Sequence, residues 1–191
     1  MLKVDVSDGV SYIGLKIGGF MRLNVAEKTA FADQGYLLIE NALTDNDIDP
    51  VINEYTRYID FRAKELYRDE KISTLFDDQP FQRRLACICR EFSDIYHEMD
   101  IMHFRGRECF KFLGNKNLID LVEGLVGPEI TCSPIQHIRP KLPEGTTPTG
   151  ADAHVVPWHQ DAGVTWEEAD PHFILTVWLP LAESTIENGC L

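Results

Sequence analysis

Apolar residues recur every three or four positions through the first two thirds of the chain, which is the spacing of helices that bury one face. Four helices are predicted, in chain order 27–34, 44 to about 66, 81–99 and 115–126. Gly35 and Gly127 are the residues that helix C-termini prefer, Thr44 with Asp47 resembles a capping box, and Asn115 is a suitable N-cap. The pattern therefore predicts a helical layer.

Beyond Pro128 the pattern changes from helix to strand. Residues 130–139 alternate in part between apolar and polar, and residues 173–181 form a near-continuous apolar run, which predicts a strand buried on both faces. Between them, 141–156 is rich in proline and glycine and predicts a long loop of the kind that borders an active site. One earlier strand is predicted over 36–40.

The composition predicts one globular domain. Residues 1–24 show little periodicity and are expected to form a loosely attached arm, while 25–191, in a chain that is 44% hydrophobic and 26% charged, suit a single core. The net charge of −13 argues against a nucleic-acid partner, because such proteins carry a basic face. No apolar run approaches the ~20 residues of a membrane span, and Asp5 and Asp8 interrupt any signal peptide. We expect a cytoplasmic or organelle-matrix protein.

Five cysteines form an odd set without the spacing of a disulfide framework, which suits a reducing compartment. Cys87 and Cys89, with His97 and His103 downstream, offer a metal site in principle. The apolar spacing predicts a helix here, however, and residues two apart on a helix diverge by roughly 200°. The favoured interpretation is therefore buried or half-buried helical thiols.

The chemistry of the chain is concentrated at His159 and Asp161. Residues two apart on a strand project to the same face, so an imidazole nitrogen and a carboxylate oxygen would lie side by side. Two histidines and one carboxylate form a facial triad for Fe(II). The second histidine is not evident. His172 could reach the metal only by a tight fold-back, so a solvent-facing or rim position is the favoured interpretation, and His137 and His154 either neighbour the site or satisfy local hydrogen bonds.

Three motifs in order carry a family resemblance: Trp158-His159-Gln160-Asp161-Ala162-Gly163, then Thr176-Val177-Trp178-Leu179-Pro180-Leu181, then Glu187-Asn188-Gly189-Cys190-Leu191. They resemble the phytanoyl-CoA dioxygenase family, and Phe31 to Ile39 resembles it more weakly. The resemblance implies an Fe(II)- and 2-oxoglutarate-dependent oxygenase on a double-stranded β-helix. The implied fold class is α+β, a jelly roll with an N-terminal helical layer, incomplete within these residues.

The resemblance also implies roles for single residues. His159 and Asp161 would bind Fe(II), and Trp178 and Gln160 would lie beside the 2-oxoglutarate, although Trp178 equally suits a plain core. A second metal-binding histidine and the arginine that pairs with 2-oxoglutarate would follow Leu191. A carboxylate ligand at Asp161 implies hydroxylation and not halogenation, because halogenating members carry a small residue there. The resemblance itself implies a small-molecule or lipid-like substrate.

Two further hypotheses remain open at this point. Arg139 and Lys141 either hold a carboxylate near the mouth of the predicted pocket or are solvated rim residues, the commoner fate. The chain is either an oxygenase or an incomplete or inactive jelly-roll module with a binding or interaction role. Open sheet edges would then favour self-association.

Overall fold

The computed structural model describes residues 12–13, 15–17, 20–101, 103–133, 136–142, 160–164, 167 and 171–187. Helices prevail in this part of the chain: α1 Val25–Gln34, α2 Asp45–Arg68, α3 Phe81–Cys89, α4 Ile95–Glu98, α5 Arg107–Phe112 and α6 Lys116–Val126. The strands described are short: β1 Tyr12–Ile13, β2 Leu15–Ile17, β3 Phe20–Arg22 and β4 Ile39–Glu40. β1 pairs with β4 in parallel, and β2 pairs with β3 antiparallel, with Leu15 opposite Arg22.

The chain divides into two compact units. The first unit comprises Met1–Thr44, Gly114–Cys132 and Pro157–Pro180, and therefore contains the four strands, α1 and α6. The second unit comprises Asp45–Leu113, Ser133–Val156 and Leu181–Leu191, and contains α2 to α5.

The second unit is built around the 24-residue helix α2. Its buried residues Val51, Tyr55, Ile59, Ala63 and Leu66 follow the spacing that the sequence predicts for one buried face. α2 packs against α3 and α5, and Ile88, Ile95 and Met99 are at most 1% exposed beside it. Burial of each such side chain contributes roughly 1.5–3 kcal/mol, so this cluster is the main source of stability in the second unit.

The first unit has a smaller core. Leu23 and Leu121 are buried, and Leu37, Ile39, Ala42 and Leu125 pack against them. A Cβ on Gly124 would lie 3.3 Å from Leu23 Cδ1, so glycine lets β3 and α6 approach closely. Leu23 lies within the predicted arm 1–24, at the end of the stretch that packs onto α6.

The predicted helix ends agree with the structure. Gly35 ends α1 in the left-handed conformation with φ 79°, and Gly127 follows α6 with φ 89°. Asn115 Oδ1 accepts a hydrogen bond from Leu118 N at 3.1 Å, as expected of an N-cap. α1 begins at Val25, two residues earlier than predicted, because Asn24 and Glu27 form a reciprocal capping box.

The single helix predicted over 81–99 is wrong. α3 ends at Cys89, where Glu91 N and Phe92 N both donate to the carbonyl oxygen of Ile88, and α4 begins at Ile95. Ile88 and Ile95 are both fully buried. The break therefore lets both side chains reach one core, and this tertiary burial outweighs the continuous apolar period.

The strand predictions are mostly wrong in the described part of the chain. Only Ile39–Glu40 of the predicted strand 36–40 pairs, and no strand is described within 130–133, 136–139 or 173–181. A strand needs a neighbour for its backbone groups, and a local apolar run does not specify one. The predicted jelly roll therefore stays a prediction.

Within the described residues, none of the helices combines the length and the apolar character that crossing a lipid bilayer requires.

Candidate functional site

Asp161 begins a short 3-10 helix, Asp161–Val164. The N–H group of Gly163 donates to the carbonyl oxygen of Gln160 at 2.9 Å and closes this turn. The prediction that Asp161 continues a strand is therefore wrong. Aspartate favours turns because its short acceptor side chain can satisfy nearby backbone groups, and here this local preference prevails.

The Asp161 carboxylate is exposed, and its Oδ2 accepts a hydrogen bond from the Thr176 hydroxyl. The two residues are 15 positions apart in the chain and lie in the same unit. The bond joins the turn at Asp161 to the apolar segment 173–181. Asp161 therefore presents an accessible carboxylate whose orientation a second side chain restrains.

The other predicted site residues are described only in part. His159 lies outside the described residues, so the predicted pairing of its imidazole with Asp161 stays a prediction. Gln160 is exposed, and its carbonyl oxygen takes part in the turn. Trp178 is 46% exposed, so the described structure does not enclose it, and its contact with 2-oxoglutarate stays a prediction.

The remaining histidines and cations divide as follows. His172 is exposed, as expected for a rim residue, and His154 lies outside the described residues. His137 Nδ1 lies 2.8 Å from Asp100 Oδ2 in the second unit, which agrees with the local hydrogen-bonding alternative. Arg139 and Lys141 are exposed. Burial raises the pKa of Tyr96, and the charge of Arg139 opposes this, so Arg139 lies within electrostatic reach of the helical layer.

The cysteine interpretation is confirmed. Cys87 is half-buried and Cys89 is buried on α3, and burial raises the pKa of the Cys89 thiol to about 12. Such a thiol is a poor metal ligand because the thiolate is the binding form. In the described ranges as a whole, no three His, Cys, Asp or Glu side chains are grouped closely enough to hold a metal ion.

Thr176 is the residue that the sequence interpretation missed. It begins the second of the three motifs, but the motif alone assigns no contact to it. One signal was present: Thr176 is the only residue with a hydrogen-bonding side chain apart from Trp178 between Phe173 and Leu181. A hydroxyl inside an apolar run usually has a specific partner, and here the partner is Asp161.

Comparison with protein families decides the affiliation. The family model described as phytanoyl-CoA dioxygenase matches residues 31–191, which is most of the chain. The chain belongs to the phytanoyl-CoA dioxygenase family. The resemblance drawn from the three motifs is thereby confirmed. Membership supports an oxygenase-type enzyme at the level of the family. Neither the curated proteins nor the solved structures gave a match.

Members of the phytanoyl-CoA dioxygenase family generally depend on Fe(II) and 2-oxoglutarate. Asp161 fits this requirement, because its carboxylate is a hard oxygen donor, is exposed to an approaching ion and is held by a neighbouring hydroxyl. The described residues thus include one of the two predicted metal ligands, and the other, His159, lies outside them.

Proposed function

We propose that this chain is a non-haem Fe(II)- and 2-oxoglutarate-dependent dioxygenase that hydroxylates a small-molecule or lipid-like substrate. The family match over 31–191 supports the reaction class. The observation that carries the assignment to a site is the exposed Asp161 carboxylate, which a hydrogen bond from Thr176 restrains within the family's iron-binding motif.

His159 and Asp161 are the proposed iron ligands. Bound Fe(II) would supply activation of dioxygen, coupled to the oxidative decarboxylation of 2-oxoglutarate. The protein's part is to hold these ligands, to orient the co-substrate and to exclude water from the reacting groups. An imidazole must be neutral and a carboxylate ionised to bind, so metal affinity is expected to fall in acid.

Gln160 and Trp178 are the proposed contacts of 2-oxoglutarate. Both residues are exposed in the same unit as Asp161, so a ligand can reach them. The indole N–H of Trp178 is a donor and its ring is an apolar surface, which together suit a co-substrate with carboxylate ends and a methylene chain.

The wider proposals follow from composition and exposure. The domain is proposed to occupy 25–191 with an arm over 1–24 whose end packs into the first unit at Leu23, in the cytoplasm or an organelle matrix. The charge of −13 favours a small-molecule partner over nucleic acid. Phe173, Val177 and Trp178 are 63%, 44% and 46% exposed, and this apolar surface supports a proposed capacity for self-association.

An anaerobic titration with Fe(II), with and without 2-oxoglutarate, tests the proposed function. We expect a charge-transfer band that needs both components and disappears in Asp161→Ala. Asp33→Ala removes another exposed carboxylate, from α1 in the same unit, and is expected to retain the band. Absence of the band from the unsubstituted chain would contradict the proposal, as would full iron affinity in Asp161→Ala.

The same surface gives the second candidate function some support. An incomplete or inactive module that binds a partner would use the exposed apolar side chains at Phe173, Val177 and Trp178. Such a module predicts concentration-dependent assembly without the iron band. The iron band, expected for the oxygenase and not for the module, therefore separates the two functions, and sedimentation velocity measures whether the chain assembles in either case.

A further inference from the structure

The segment 173–181 meets Asp161 through one polar group. Its sequence is Phe-Ile-Leu-Thr-Val-Trp-Leu-Pro-Leu, and the hydroxyl of Thr176 donates to Asp161 Oδ2. Both side chains are exposed to solvent. An apolar segment therefore supplies a single hydroxyl at the place where the proposed iron ligand needs its direction fixed.

A hydroxyl at this place has a specific physical effect on a carboxylate. Hydrogen bonds to an ionised group are roughly twice as strong as those between neutral groups. A hydrogen bond to one carboxylate oxygen narrows the rotamers that an exposed aspartate samples, so less entropy is lost when the side chain binds a metal. Donors that orient metal-binding carboxylates typically change metal affinity by about 10- to 100-fold when they are removed.

We propose that Thr176 is a positioning residue for the Asp161 metal ligand. The hydroxyl holds Oδ2 in place and so presets the direction in which the carboxylate meets the ion. This inference rests on the proposed function, because it concerns Asp161 as an Fe(II) ligand. Thr176 itself contacts neither the metal nor the co-substrate in this scheme.

The exposure of Thr176 makes the inference testable without a large loss of stability. Removing a solvent-exposed hydroxyl leaves no buried polar group unsatisfied, since water can replace it at the carboxylate. Thr176→Val keeps the shape of the side chain and removes only the donor. Thr176→Ser keeps the donor and removes only a methyl group.

The experiment measures Fe(II) dissociation constants anaerobically for the two variants, together with thermal unfolding in the absence of metal. We expect Thr176→Val to weaken Fe(II) binding about 10- to 100-fold and Thr176→Ser to restore it to within about threefold of the unsubstituted chain. Thr29→Val is the matched control, because the exposed Thr29 hydroxyl donates to the Val25 carbonyl oxygen at 2.9 Å within α1. It should leave the affinity unchanged.

A double-mutant cycle distinguishes positioning from a general structural role. In an Asp161→Glu background the longer carboxylate can still bind the ion but no longer meets the Thr176 hydroxyl in the same place, so Thr176→Val should cause no further loss of iron affinity. The same melting temperature is expected for the unsubstituted chain and Thr176→Val without metal.

Three results would overturn the inference while leaving the proposed function in place. They are full Fe(II) affinity in Thr176→Val, equal weakening in Thr176→Ser and Thr176→Val, or an additive loss in the Asp161→Glu background. No Fe(II) binding by the unsubstituted chain would instead overturn the proposed function, and the inference with it.

Discussion

Similar apolar side chains occur in the helices of the second unit and in the segment 173–180 of the first unit. The helices bury them, whereas the segment leaves several of them exposed. Ile88 on α3 is 0% exposed, whereas Ile174 is 37% exposed and Phe173 is 63% exposed. Amino-acid type alone therefore does not decide burial. The helices of the second unit pack onto one another, while Phe173 has a ring contact with Phe31, edge to face at 6.2 Å, and remains largely open.

The difference in burial between the two regions bears on where the proposed chemistry takes place. A closed helical core contributes stability and offers few accessible groups. The exposed stretch that contains Asp161, Thr176 and Trp178 contributes less burial but presents a carboxylate and an indole to a ligand. We infer that the second unit mainly supports the fold and that the proposed chemistry belongs to the first unit.

The same substitution made in both regions gives the largest expected contrast. Ile88→Ala is expected to reduce the free energy of unfolding by about 2–5 kcal/mol, because it deletes fully buried methylene and methyl groups and leaves a cavity. Ile174→Ala should cost less than about 1 kcal/mol, because its side chain is already partly hydrated. Urea denaturation followed by circular dichroism measures both values. Similar losses of unfolding free energy at the two positions would contradict the inferred difference in packing between the two regions.

Glu54 tests a second source of stability in the helical layer. Its Oε2 accepts hydrogen bonds from Glu108 N and Cys109 N, both at 2.9 Å, at the start of α5. A Cβ on Gly106 would lie 2.1 Å from this oxygen, so glycine makes room for the carboxylate. Glu54→Gln is expected to cost about 1–2 kcal/mol at neutral pH, since hydrogen bonds to a charged acceptor exceed those to a neutral one.

The pKa of Glu54 determines how this stabilisation depends on pH. Burial would raise the pKa of Glu54, but the hydrogen bonds from the Cys109 and Glu108 backbone outweigh it, so the pKa lies below its ordinary value of 4.5. The stabilisation is then complete above pH 4.5 and is lost as the pH falls through the lower folded value. The difference in free energy of unfolding between the unsubstituted chain and Glu54→Gln should therefore become smaller in acid. A difference that becomes larger in acid would contradict this prediction. Glu123→Gln, at an exposed position on α6, is the control.

These contrasts also explain which elements the sequence could predict. The positions of α1, α2 and α6 follow from a helical period and from caps at Gly35, Asn115 and Gly127, all of which are local signals. Helix α5 was missed because the carboxylate at its start comes from Glu54, 54 residues earlier in the chain. The break between α3 and α4 was missed because it depends on a shared core.

The candidate site, like the fold, could be predicted only in part from the sequence. Asp161 was predicted as an iron ligand from its motif, because residue types and order are visible in a sequence, and this role stays a prediction. Its strand geometry was wrong, since Gly163 closes a turn onto Gln160. Its hydrogen bond with Thr176 joins residues 15 positions apart, and no spacing rule for helices or strands connects them.

The test with the least effect on stability changes no residue at all. Cys132 is exposed in the first unit, whereas Cys89 and Cys109 are buried in the second, and burial raises the pKa of both buried thiols to about 12. At pH 8 only about one in 10⁴ of such groups is a thiolate even where a reagent can reach it.

We therefore expect a maleimide to modify Cys132 rapidly in the folded protein and to modify Cys89 and Cys109 only after unfolding. Peptide mass mapping at successive times measures the three rates, and labelling in urea provides the control in which all three should react alike. Half-buried Cys87 should react at an intermediate rate. Rapid modification of Cys89 in the folded protein would mean that the α3 core opens readily, and the contrast between a closed helical layer and an exposed site would fail at its better-packed side.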